Sequence, residues 1–138
     1  MEKGRRFAFD FGISRIGIAT TDQDGLLAFP LSVVKNTKGV IEGEIAQLID
    51  GYSPIHLYVG LPILLSGNEG ESAKLAREFG ERLQSRFNLP VDYIDERLST
   101  VTASRNLRAA GKDARSSKED IDAAAAVEIL EMAIQSER

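Results

Sequence analysis

The sequence predicts an α/β domain built on a five-stranded mixed sheet with helices on both faces. The first third of the chain holds three extended apolar runs joined by short polar links, which is typical of an antiparallel meander. The remaining two thirds alternate helical spacing with short apolar runs, which is typical of parallel strands joined by helical crossovers. A length of 138 residues fits one domain, and we expect it to span residues 1–138.

The meander begins with two apolar runs, Phe7–Phe11 and Ile16–Ala19, separated by a four-residue polar link. Asp22–Gly25 has the composition of a tight turn, in which glycine supplies the positive-φ position. The third run, Leu26–Val34, contains Pro30. Because proline cannot donate to a central ladder, this run is predicted to be an edge strand.

The rest of the chain shows two patterns in alternation. Apolar residues at helical spacing mark amphipathic helices, and short continuous apolar runs mark buried parallel strands. In chain order the predicted elements are a helix over Val40–Gly51, a strand over Ile55–Gly60, a helix from Asn68 with Glu71 at the capping-box position, a strand over Val91–Asp95, a helix over Thr100–Ala110, a polar loop over Lys112–Ser116 and a helix from Ser117 to about Gln135.

These elements restrict the topology of the sheet. Parallel crossover connections are right-handed by strong preference, and Pro30 assigns the third strand to an edge. The spatial order 3-2-1-4-5 follows, with Asp10 on the central strand. This is a ribonuclease H-like architecture.

Composition excludes several kinds of site. The chain has no cysteine, so disulfides, thiolate metal sites and cysteine nucleophiles are absent. Hydrophobic and charged fractions of 43% and 28% are ordinary for a soluble protein. The apolar run after the basic N-terminus is too short for a signal peptide, and no run approaches a membrane span. We therefore expect a cytoplasmic protein with no membrane partner.

Three carboxylates are candidates for a functional site. Asp10 interrupts an apolar strand, where a charge is costly unless it caps a neighbouring turn or is held for a metal; no Lys or Arg alternates with it in the predicted strand. Glu96 ends the fifth strand, at the edge where parallel sheets place their sites. Asp122 lies in the first turn of the last helix, where Glu119 and Asp120 already complement the helix dipole. The alanines after Asp122 favour close packing on the sheet, which would direct its carboxylate inward.

Carboxylates from different elements, without cysteine, suit Mg²⁺ or Mn²⁺. Two such ions about 3.5–4 Å apart activate water and stabilise the leaving oxygen of a phosphodiester. We therefore predict a metal-dependent nuclease with Asp10, Glu96 and Asp122 as catalytic and metal-binding residues. The predicted strand order separates Glu96 from Asp10 by two strands, about 9–10 Å. Only sheet twist and the long Glu96 side chain can close that gap.

A basic stretch offers contacts for phosphates. Between Arg97 and Lys118 there are six basic residues and one acidic residue, a net charge of +5 in a chain whose formal charge is −4. Such a stretch is either a solvated face or a surface for nucleic acid. The candidate nucleic-acid contacts are Arg15, Arg97, Arg105, Arg108, Lys112, Arg115 and Lys118.

Several motifs together resemble those of the YqgF family, bacterial proteins similar to RuvC-type Holliday junction resolvases. The motifs are FDFG at Phe9–Gly12, RIG at Arg15–Gly17, VGLP at Val59–Pro62, GNEGES at Gly67–Ser72, DERLST at Asp95–Thr100 and KEDIDAAAA at Lys118–Ala126. The resemblance implies a ribonuclease H-like nuclease that finishes the 5′ end of the small-subunit ribosomal RNA precursor. It also implies an acidic triad at Asp10, Glu96 and Asp122.

Alternatives remain open at this point. A resolvase of branched DNA would use the same chemistry as a homodimer, and a non-catalytic ribosome-assembly factor would keep the fold alone, bound to ribosome precursor particles. Nucleotide binding of the actin-like kind needs two such domains, so the length argues against it.

Leu64-Leu65-Ser66 replaces residues that are polar in many family members, so substrate contacts by that loop do not carry over. His56, on a predicted buried strand, is interpreted as a satisfied core residue.

Overall fold

The central strand of the sheet is the one that carries Asp10. The computed structural model describes residues 2–62, 66–96 and 114–138, the side chains of 114–123 excepted. The five strands are β1 (Arg6–Phe11), β2 (Arg15–Thr21), β3 (Ala28–Lys35), β4 (His56–Leu61) and β5 (Val91–Asp95). Their spatial order is β3-β2-β1-β4-β5, as predicted. Strands β1, β2 and β3 pair antiparallel, whereas β4 runs parallel to both β1 and β5.

The described helices cover both faces of the sheet. They are α1 (Ile41–Tyr52), α2 (Glu71–Phe87) and α3 (Ala114–Glu137). Phe7 and Phe9 of β1 pack with α1 and α2 on one face. Ala8, which points to the other face, packs with α3. Asp10 shares that second face because it follows Ala8 by two residues. The predicted helix over Thr100–Ala110 lies outside the described residues.

Strand β3 is an edge strand, as Pro30 predicts. Pro30 lies opposite Ala19, and the β2–β3 register shifts between Ile18 and Ala19. The irregularity falls where the missing proline N–H interrupts the ladder. At the preceding turn Gly25 adopts φ +77°, and the Asp22 carboxylate accepts the backbone N–H groups of Leu26 and Leu27, so the predicted turn is confirmed.

Two predicted helix starts are wrong. Helix α2 begins at Glu71 after an extended Gly70, and no side chain caps it, so the predicted capping box from Asn68 does not form. Glu69 instead binds the Arg77 guanidinium through both carboxylate oxygens, at 2.7 and 2.6 Å. Helix α3 begins at Ala114 rather than Ser117, since no glycine or proline interrupts its first turn.

A buried ion pair joins the ends of β1 and α3. The Arg6 side chain, 1% exposed, donates to both carboxylate oxygens of Glu137 at 3.2 and 2.8 Å, and the Tyr58 hydroxyl also donates to Glu137. Arg6 lies on the same face of β1 as Asp10, so the expectation that no basic residue alternates with Asp10 is wrong. That expectation failed because β1 begins one residue earlier than the apolar run. Arg6 neutralises Glu137 at the other end of the strand.

Stability should depend on pH through Glu137. Burial raises the pKa of the Glu137 carboxyl, but the hydrogen bonds from Arg6 and Tyr58 outweigh it, so the pKa lies below its ordinary 4.5. A depressed pKa contributes stability that is present above about pH 4.5 and is lost as pH falls through the folded-state value.

We expect Glu137→Gln to lower the free energy of unfolding by about 3 kcal/mol at pH 7, because Arg6 stays buried without its carboxylate. Urea unfolding at several pH values measures this loss. The difference from wild type should shrink as the pH falls below 4.5 and through the lowered pKa of Glu137, because wild-type Glu137 then becomes protonated. The control is Glu131→Gln, at an exposed glutamate of the same helix. A loss that stays equally large at every acid pH where wild type remains folded would contradict the assignment.

Candidate active site

Asp10 lies near the carboxyl end of β1, where two glycines flank it. Its side chain is 8% exposed. The cross-strand partner of Asp10 on β2 is Gly17. On the other side, β1 and β4 pair as far as Phe9 with Val59, and the next step of that register sets Gly60 beside Asp10. Neither strand neighbour therefore carries a side chain beside this carboxylate.

Glu96 extends across the strand that separates it from Asp10. A Cβ atom built on Gly60 would lie 3.0 Å from the Glu96 carboxyl carbon and 3.1 Å from its Cγ. The Glu96 side chain thus lies directly over Gly60 of β4. Gly60 is one strand spacing, about 4.8 Å, from the backbone of β1, so the Glu96 side chain covers one of the two spacings that separate β5 from β1. The Glu96 side chain therefore narrows the gap that the strand order predicts.

The direction of α3 sets the backbone of Asp122 toward the same carboxyl edge of the sheet. Glu137 contacts Arg6 at the amino end of β1, and Ile129 reaches Gly60 near the carboxyl end of β4. The helix therefore runs antiparallel to β1, with its first turns toward the carboxyl edge. Asp122 precedes Ile129 by seven residues, two helical turns or about 10 Å of rise. The Asp122 side chain lies outside the described residues, so its part in the site stays a prediction.

The oxygen donors at this edge fit a hard divalent cation. Asp10 is a nearly buried carboxylate, and Glu96 reaches toward it over a glycine. In the part of the chain that the structure describes, no group of three or more His, Cys, Asp or Glu side chains could hold a metal ion. Two of the three predicted ligands fall within that part. The donor set is therefore of the right chemistry, and Asp122 would complete it.

Most of the residues predicted to contact nucleic acid lie outside the described part of the structure. Arg15 begins β2, is half-buried, and lies opposite Lys35 of β3. Arg97, Arg105, Arg108 and Lys112 lie outside the described residues. Arg115 and Lys118 belong to the first turns of α3, and their side chains are likewise not described. The basic stretch remains a prediction.

His56 lies far from this edge. It begins β4 at the amino end, its Nε2 is 2.7 Å from the Asp92 carboxylate, and its ring stacks on Tyr58 with centroids 4.4 Å apart. The side chain is 22% exposed. The histidine has a partner, as predicted, but it is not a core residue. Its position excludes direct contact with Asp10.

Gly60 lies beside the candidate site and was not singled out as a candidate residue from the sequence. A glycine within the apolar run of β4 was an available signal, because strand glycines often mark a close approach of another group. Ile129 of α3 also packs against Gly60: its Cδ1 would lie 2.5 Å from a Cβ atom added there. A side chain at position 60 would occupy the space that Glu96 and α3 now fill.

The match to a family model covers nearly the whole chain. The model named RuvX, described as "Holliday junction resolvase", matches residues 4–136. The chain belongs to the RuvX family. This confirms the resemblance seen in the motifs.

Curated RuvX relatives carry a common name. A Streptomyces coelicolor protein named "Putative pre-16S rRNA nuclease" is 44% identical over all of this chain and 84% of its own length. A Streptomyces avermitilis protein of the same name is 43% identical over all of this chain and 90% of its own length. A third, from Dechloromonas aromatica, is 40% identical over 96% of this chain and 92% of its own length.

Solved structures confirm the RuvX fold. T. thermophilus RuvC in complex with a Holliday junction substrate matches with a TM-score of 0.61 and 17% identity, over 97% of this chain and 95% of RuvC. A second Thermus thermophilus RuvC structure matches with a TM-score of 0.58. The ribonuclease H-like architecture predicted from the strand order is therefore confirmed. In the described part of this RuvX chain, no helix is long and apolar enough to cross a membrane.

Proposed function

We propose that the chain is a cytoplasmic nuclease that hydrolyses phosphodiester bonds in the 5′-end maturation of pre-16S ribosomal RNA. One observation carries the proposal: the Glu96 side chain lies over Gly60, the residue that the sheet register sets beside Asp10. The names of the curated relatives support the substrate. The RuvX family model supports nuclease chemistry.

Asp10, Glu96 and Asp122 would hold Mg²⁺ or Mn²⁺. When bound, a pair of such ions lowers the pKa of an attacking water and neutralises charge on the leaving oxygen. Asp10 supplies a carboxylate fixed by the central strand, since its backbone pairs with β2 and the preceding Phe9 pairs with β4. Glu96 supplies one at the end of a longer side chain, and Asp122 one from α3. Arg15 and the basic residues between 97 and 118 would hold the phosphate backbone beside them.

A second candidate is resolution of branched DNA. It is favoured by the description of the family model. Cutting both strands of a junction needs two active sites, and hence a homodimer, whereas RNA end maturation needs only one. The third candidate, a non-catalytic assembly factor, predicts binding of ribosome precursor particles without cleavage.

Parallel cleavage assays separate these functions. One substrate is an RNA spanning the junction between leader and mature 5′ end, and the other is a four-way DNA junction of similar length. We expect cleavage of the RNA with Mg²⁺ or Mn²⁺ and none with chelator. Symmetric cuts in the DNA junction by a dimer, with the RNA intact, would favour the resolvase. Intact substrates of both kinds under all metal conditions would leave only the assembly factor.

A further inference from the structure

The carboxyl edge of the sheet carries a second surface, on the β3 side of Asp10. It is formed by the link between β1 and β2, the link between β3 and α1, and the strand residues next to them. Five of its residues are called here the edge surface: Ile13, Arg15, Lys35, Lys38 and Val40. Asn36 ties the two links together: its side-chain amide donates to the Gly12 carbonyl at 2.9 Å, and its backbone N–H donates to the Ser14 carbonyl at 2.9 Å. The two links therefore form one continuous surface.

All of the charged residues of the edge surface are basic. Residues 11–15 and 35–41 contain three cations and no acid, in a chain whose formal charge is −4. Arg15 and Lys35 are cross-strand partners, and Lys35 and Lys38 are exposed. A bound polyanion would be attracted by these exposed cations.

The same surface exposes apolar side chains. Ile13 is 75% exposed and Val40 is 50% exposed. Ile13 exceeds every other large apolar side chain of the described residues in exposure. Exposed aliphatic side chains next to basic ones are used by nucleic-acid-binding proteins as wedges against bases. Ile13 follows Asp10 by three residues, so the two lie within about 10 Å along the chain.

We propose that the edge surface binds a single-stranded segment of the substrate, with phosphates on Arg15, Lys35 and Lys38 and an unpaired base against Ile13. The proposal rests on the nuclease function proposed above, since it sets the strand beside Asp10. The segment is single-stranded because an unpaired base offers its face to Ile13 without the unstacking cost of a wedge in a duplex. The substrate class is therefore structured RNA with an unpaired stretch within a few nucleotides of the cut.

The charge half of the proposal is tested by binding in chelator, where no cleavage occurs. A fluorescent single-stranded oligoribonucleotide is titrated by anisotropy from 50 to 300 mM salt. We expect Lys35→Ala/Lys38→Ala to reduce the salt slope by about 1.4, which weakens binding about 25-fold at 100 mM salt. The matched control is Lys3→Ala/Arg138→Ala, which removes two exposed cations at the opposite edge of the sheet and should leave the slope unchanged.

The apolar half is tested with 2-aminopurine placed along the same RNA. In wild type, emission should change at one position on binding, and Ile13→Ala should remove that change. Leu27→Ala, at a 69% exposed leucine on the opposite edge, is the control and should keep the change. Equal effects of a test variant and its control, or no effect of either, would contradict the proposal that the edge surface binds RNA. Failure of the nuclease proposal differs: wild type would bind this RNA but cut none with any metal.

Discussion

Asp10→Asn should reduce cleavage about 1,000-fold or more while the protein stays folded. The amide keeps the size of the carboxylate but removes the charge that would bind a divalent cation and balance its positive charge. RNA binding should persist, because basic residues away from Asp10 hold the phosphates. Cleavage of the precursor RNA under single-turnover conditions measures the loss, and anisotropy measures the binding.

Thermal unfolding with and without metal gives the independent half of this test. In chelator the Asn variant should be as stable as wild type or more stable, since one of the neighbouring carboxylates is removed. Metal at 100 times its Kd should stabilise wild type by about 2.7 kcal/mol and the variant much less. Asp50→Asn, at an exposed aspartate of α1, should match wild type in both assays. If the variant unfolds, Asp10 has a structural role. If it folds, still cuts RNA and still responds to metal, the active site lies elsewhere in the chain.

Gly60→Ala should impair cleavage about 100-fold by displacing Glu96. The added methyl would lie 3.0 Å from the Glu96 carboxyl carbon and 2.5 Å from Ile129 Cδ1. A carboxylate moved by about 1 Å from its productive position costs about two orders of magnitude in rate. The same crowding should lower the free energy of unfolding by about 1–3 kcal/mol. Cleavage rate and urea unfolding are measured on the same preparation.

Two further variants separate the effect on Glu96 from the effect on packing. Ile129→Val removes the Cδ1 atom, so Gly60→Ala/Ile129→Val should recover much of the stability but little of the activity. Gly43→Ala, in α1, meets no atom within 4 Å and should stay fully active with equal or slightly greater stability. Recovery of activity in step with stability in the double variant would mean that Gly60 serves α3 packing alone.

Periodicity and turn chemistry in the sequence were enough to predict the sheet. Pro30 assigned β3 to an edge because the missing N–H is a local property, and the real strand is irregular at that point. The run Val91–Asp95 matched β5 residue for residue because Pro90 marks its start and acidic residues mark its end. Helix starts were less predictable, since the capping box predicted from Asn68 and Glu71 does not form and α2 begins after Gly70 without a side-chain cap. Local patterns fix which residues form an element and leave open which partner a polar side chain takes.

The sequence by itself determined the fold class, the strand order and the position of Asp10 on the central strand. Only the tertiary structure decided how Glu96 comes near it. The strand order alone separates these residues by two spacings, and a side chain crosses that distance only where β4 offers a glycine under it. The Arg6–Glu137 pair was hidden for the same reason, because its members lie 131 residues apart. Contacts between distant segments depend on backbone approach, which no local pattern of residues encodes.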